Sequence, residues 1–152
     1  MTPLADLIKH QPPMRLIDRF VSGDADHAAA HCEITVASDN LFYRDELGGL
    51  PAHVGIELMA QTIAAAAGYR NRGAGEDIKI GFLLGSRNYQ CTVESFSLAE
   101  TYAIHVAEIH AESSGLSVFE CEIRHHESVI ATAKINVFQP PDEAAFIEDT
   151  YE

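Results

Sequence analysis

The chain contains no tryptophan and only three cysteines in 152 residues. Cys32, Cys91 and Cys121 are odd in number, widely spaced and form no CxxC pair. That argues against a disulfide framework and leaves reduced core thiols as the expectation. Basic residues are scarce too: 10 Lys and Arg stand against 23 Asp and Glu, for a formal net charge of −13. A field of that sign repels nucleic-acid phosphates and anionic membrane surfaces. No apolar run approaches the roughly 20 residues needed to cross a bilayer. The opening MTPLADLIKH has neither the basic start nor the apolar core of a secretion signal. A cytoplasmic protein with no nucleic-acid or membrane partner is therefore expected. Without internal repeats or a long linker, a single domain over 1–140 is expected, followed by an acidic, mobile tail over 141–152.

What is present is organised around one stretch, Leu50 to Gly68, LPAHVGIELMAQTIAAAAG. Pro51 suits a first helical turn, where its missing N–H is no loss. Val54, Ile56, Leu58, Met59, Ile63 and the alanines then put apolar groups round nearly the whole circumference. A surface helix does not tolerate that, so something must wrap it. Glu57 lies inside this apolar run, and a carboxylate in such a setting is paired, exposed through a gap, or functional.

The flanking chain reads as strands. A short helix is expected over Leu4 to Lys9, then strands from Met14 to Val21 and onward to about Val36, where Cys32, Ile34 and Val36 alternate with His31, Glu33 and Thr35. Ala37 to Gly49 is a loop carrying Leu41, Phe42 and Tyr43, expected to fold against the body. After the helix come four strands, with a bend near Gly85 where the apolar phase shifts. The simplest packing is α+β, one curved antiparallel sheet wrapped around one long central helix. The open edges of such a sheet favour pairing of two copies, hence a dimer.

Two segments carry a family resemblance. LIKHQPPMRLIDRF, Leu7 to Phe20, resembles the opening of bacterial (3R)-hydroxyacyl-[acyl-carrier-protein] dehydratases, and GIELMAQTIA, Gly55 to Ala64, resembles their helix motif. SVIATAKINVF, Ser128 to Phe138, is similar to the last strand of the same hot-dog fold. Within that family the nearest likeness is to accessory dehydratase-like proteins of aryl polyene assembly. The resemblance implies no cofactor, a substrate held on the phosphopantetheine of an acyl carrier protein, and a homodimer or a heteromer with an active dehydratase homologue. In the family a loop His removes the α proton and a helix carboxylate protonates the leaving hydroxyl, the two coming from opposite subunits. The carboxylate carries over to Glu57. A carboxyl in apolar surroundings can hold its proton nearer neutrality, as a general acid must, whereas a helix N-terminus favours the anion.

The loop His does not carry over. Tyr43 stands at its place, and Glu46 replaces a glycine whose N–H would polarise the thioester. A phenol, with a pKa of about 10, is a poor base, so Tyr43 is expected to narrow the acyl tunnel. Gly81, Phe82 and Leu83 match the family's tunnel strand. The substitute base is His53, four residues before Glu57, and its structural alternative is a hydrogen bond to a carbonyl or to Glu57. Arg70, Arg72, Lys79 and Arg87 form a local basic group. Arg70, Arg72 and Arg87 are read as a docking site for an acidic carrier protein, against the alternative of a solvated face. His10 is read as structural. His125 and His126, adjacent in a strand, are expected to point to opposite faces, so no metal site is expected. Three functions follow: a hydro-lyase, a non-catalytic subunit completing a partner's site, and a hot-dog thioesterase.

Overall fold

The computed structural model describes residues 2–75 and 82–139, apart from the side chains of 82–84. The expected tail over 141–152, Gly81 and Lys79 lie outside the described residues. Six strands form one antiparallel sheet: β1 (Arg19–Asp24), β2 (Ala29–Thr35), β4 (Phe82–Cys91), β6 (Thr101–Ala111), β7 (Leu116–His125) and β8 (Ser128–Phe138), in the order β1-β2-β6-β7-β8-β4. The short strands β3 (Gly49–Pro51) and β5 (Ser95–Ser97) make a separate two-stranded sheet. The helix α1 (Val54–Gly73) packs on the curved sheet. This is the hot-dog arrangement that the resemblance implies.

Strand period decides what faces the helix. Along β2, Ala30, Cys32 and Ile34 are buried while His31, Glu33 and Thr35 are half-buried on the outer face. Ile104, Phe119, Ile123 and Ile135 from β6, β7 and β8 join Leu58, Met59 and Ile63 of the helix in one core. Each such side chain contributes about 1.5–3 kcal/mol by leaving water. Cys32 and Cys121 belong to this core, and burial pushes both thiols up to about 12.

Several sequence expectations are corrected. Pro51 does not open the helix: it ends β3, buried, and the helix starts at Val54 with His53 as its cap residue. A proline without an N–H serves a short edge strand as well as a first turn. The helix also runs past Gly68 to Gly73. Gly68 marks no end; a side chain there would strike the carbonyl of Leu7. The first strand begins at Arg19 rather than Met14, because Leu16 and Met14 spend their backbone groups on the side chain of Gln61. Only one 3₁₀ turn, Leu4–Asp6, stands where a short helix is expected. The bend near Gly85 is present as a register shift between Leu83 and Gly85 against β8.

Candidate functional site

Most of the helix is buried, and part of its surface is left half-covered. Glu57, Ala60, Ala64 and Ala67 are half-buried, at spacings that keep them on one face. This stripe forms the floor of a pocket of about 150 Å³, closed on the sheet side by Phe119 and Val137 and bordered by His10, Arg70 and Glu108. Glu57 thus lies on the helix floor of this cavity, where Glu108 is the other carboxylate.

Gln61, one turn on, fixes Glu57. Its side chain is 0% exposed. Its Oε1 accepts from the Leu16 N–H at 2.8 Å, and its Nε2 donates to the Met14 carbonyl at 2.8 Å and to Glu57 Oε1 at 3.0 Å. The Leu16 N–H can only be met by the amide oxygen, so the amide nitrogen must face Glu57. Glu57 Oε1 is therefore an acceptor, and a proton on this carboxyl belongs on Oε2. Sequence reasoning passed over Gln61, although an amide amid apolar helix residues has to find partners once buried.

His10, read from sequence as structural, is the second group at the pocket. It lines the same pocket, and its Nδ1 is buried with no hydrogen-bond partner. His53 is exposed at the helix start and is absent from the lining of the Glu57 pocket. Tyr43 is half-buried against the core, its N–H donating to the Asn40 carbonyl at 3.0 Å, and it too is absent from that lining. Phe42 packs on the core beside it, while Leu41 points to solvent. Tyr89 on β4 donates its hydroxyl to the Ala52 carbonyl at 2.5 Å and leaves room above it only for glycine at position 55. Burial raises that phenol's pKa, and the bond anchors the segment leading into the helix.

The basic residues are dispersed. Arg70 pairs with Glu108 at 3.2 Å at the pocket, and Arg72 pairs with Asp6 at 3.1 Å. Arg87 is exposed on β4, opposite Lys134 of β8. The backbones of Phe82 and Leu83 pair with Phe138 and Val137. A larger groove of about 640 Å³ lies against the sheet and is bordered by His31, His105, Glu120, Glu122 and Lys134, but by none of the site residues expected from sequence. The expectation that His125 and His126 diverge is corrected. His126 lies in the turn beyond β7 with φ +57°, and its ring packs on His125 with centroids 4.2 Å apart.

The family model "ApeP-like: ApeP dehydratase" matches residues 2–148. Among solved structures, a chain of the dehydratase heterocomplex ApeI:P from Xenorhabdus doucetiae is 27% identical, with a TM-score of 0.89 over 100% of this chain and 99% of that one. The uncharacterized protein PH1136 from Pyrococcus horikoshii is 12% identical, with a TM-score of 0.68 over 95% and 99% of the two chains. A hypothetical thioesterase with coenzyme A from Streptococcus pneumoniae is 14% identical, with a TM-score of 0.61 over 80% and 84%. The last two share the fold alone. No curated protein matches the chain.

Proposed function

The chain belongs to the ApeP-like dehydratase family, and from that premise we propose that it dehydrates 3-hydroxyacyl thioesters held on an acyl carrier protein, as one subunit of a cytoplasmic heteromer with a dehydratase homologue. The observation that carries this reading is Glu57, pinned by Gln61 at the floor of an apolar pocket of about 150 Å³. In the reaction a base takes the α proton and the freed pair forms the Cα–Cβ double bond. The bond from Cβ to the hydroxyl oxygen breaks, and that oxygen leaves as water with the proton of Glu57. Gln61 fixes the orientation of the Glu57 carboxyl and leaves Oε2 as the oxygen that would pass the proton. Ala60, Ala64 and Ala67 leave space for an acyl chain along the helix, and aryl polyene assembly fits that substrate class.

The heteromeric form is supported by the likeness to a chain of the ApeI:P heterocomplex and by Tyr43, which stands where the family's His is expected. A partner's loop His would then supply the base. Arg70, at the pocket border, and Arg72 and Arg87 are the cations offered to the carrier protein and its phosphopantetheine phosphate. A second reading has its own observation: His10 reaches the same pocket with an unpartnered Nδ1, so it is the base if the chain works alone.

Mixing the chain with a dehydratase homologue and a 3-hydroxyacyl carrier protein, and following the enoyl product by mass spectrometry, tests both. Glu57→Gln is expected to lower turnover about 100-fold or more, and His53→Ala to leave it unchanged. Activity of the complex that survives Glu57→Gln overturns the acid assignment. Activity of the chain alone that is lost in His10→Ala selects the second reading, and release of free acid without enoyl product selects a thioesterase.

A further inference from the structure

We propose that Glu100, His125 and His126 form a binding site for a divalent first-row cation, with zinc the best fit, at the closed end of the β7–β8 hairpin. The hairpin turn has two residues, His126 and Glu127, between the paired His125 and Ser128. Because His126 takes a left-handed φ of +57°, its side chain leaves the strand alternation and lies against His125 instead of opposite it. A non-glycine residue in this region is uncommon and costs energy, so the turn favours this placement at some expense. On the other side His125 stacks on Tyr102 of β6, its register partner, with centroids 4.8 Å apart. The His125 ring is thereby held between two others.

Glu100 arrives from the neighbouring turn, directly after Ala99, which also has a left-handed φ of +69°. Its Oε1 is 3.7 Å from His125 Nε2. That distance is too long for a hydrogen bond, and Nε2 is buried with no other partner. One atom from each of the three residues lies within 4.8 Å of the others. Donor atoms round a tetrahedral zinc with bonds of about 2.0–2.1 Å stand roughly 3.3 Å apart. The 3.7 Å pair needs a few tenths of an ångström to reach that spacing, and His126 is exposed and Glu100 half-buried, so both have room to close.

Two imidazoles and one carboxylate suit zinc, with a fourth position left to water. The chain's charge of −13 favours a cation over an anion at such a spot. His125 and His126 lie at the turn of the hairpin, away from its open end, where Ser117 and Val137 pair and border the Glu57 pocket. The proposal therefore does not rest on the catalytic reading.

The test is a cobalt(II) titration of the full, tag-free chain, read by its visible ligand-field absorption, with zinc displacing the cobalt. One cobalt per chain is expected. His125→Ala, His126→Ala and Glu100→Gln should each weaken binding about 10-fold or more, whereas His27→Ala should not. Zinc should also raise the melting temperature of the parent chain but not of His126→Ala, whose exposed position makes it the variant least prone to misfold. No stoichiometric binding by the parent chain, or binding that survives the double substitution of His125 and His126, overturns the site.

Discussion

Gln61 is a single side chain that holds two backbone groups and one carboxyl at once. Replacing it with Leu leaves the buried Leu16 N–H without a partner and takes one from the Met14 carbonyl and from Glu57, and an orphaned buried group costs about 1–3 kcal/mol. Gln61→Leu is therefore expected to lose about 2–4 kcal/mol in a urea unfolding experiment, while His53→Ala, exposed and outside the pocket lining, should change stability by less than about 0.5 kcal/mol. Equal effects from the two would contradict the network. At this scale Glu57 was legible in the sequence, because a carboxylate inside an apolar run stands out. His10 was not: an imidazole 47 residues before Glu57 has no local pattern that brings it to the same cavity, and only the packing of the N-terminal segment on the helix does so.

Among elements, the helix carries the clearest lesson about local signals. Its apolar circumference announced a wrapped helix, yet both of its ends were misread. Pro51 and Gly68 are ordinary punctuation marks put to other uses: Pro51 sits in a strand, and Gly68 lets the backbone of Leu7 approach. Gly68→Ala should thus drive a methyl into a main-chain carbonyl and destabilise the chain by about 1–3 kcal/mol. Gly73→Ala, at the exposed helix end with open space around it, should be neutral or gain up to about 1 kcal/mol. Thermal melts of the two variants check the contrast, and a neutral Gly68→Ala would mean that the N-terminal segment is not clamped there. The long strands were legible from their alternation. The three-residue strands β3 and β5 were not, since three residues hold too little period to be seen.

For the molecule as a whole, the stacked pair His31 and His105 ties stability to pH. Their rings lie 4.1 Å apart on the outer face of the sheet. Burial lowers the pKa of both from 6.5; Arg124 lowers each further and His31 also lowers His105, while Glu33 raises His31 and Glu122 raises His105. A histidine whose pKa is lowered on folding binds its proton more readily when unfolded. Its stabilising contribution is full above pH 6.5 and is lost as pH falls through the folded value. His27, raised by Asp24, works in the opposite sense, but that pair is exposed and screened. The melting temperature should therefore fall between pH 7.5 and 5.5, and His31→Gln with His105→Gln should flatten the fall; an unchanged slope in the double variant rules the pair out as its source. Composition gave the sign of the whole molecule's field, while the meeting of two imidazoles from β2 and β6 depends on strand register, which no single segment encodes.

The amide of Gln61 has one more consequence. It is a latch with two sides: one closes the segment around Met14 and Leu16 onto the helix, the other sets the orientation of Glu57. Because one group performs both tasks, the Glu57 carboxyl and the N-terminal segment cannot loosen independently. The exchange of a single backbone proton, that of Leu16, then reports on the orientation of a carboxyl that lies 41 residues further along the chain.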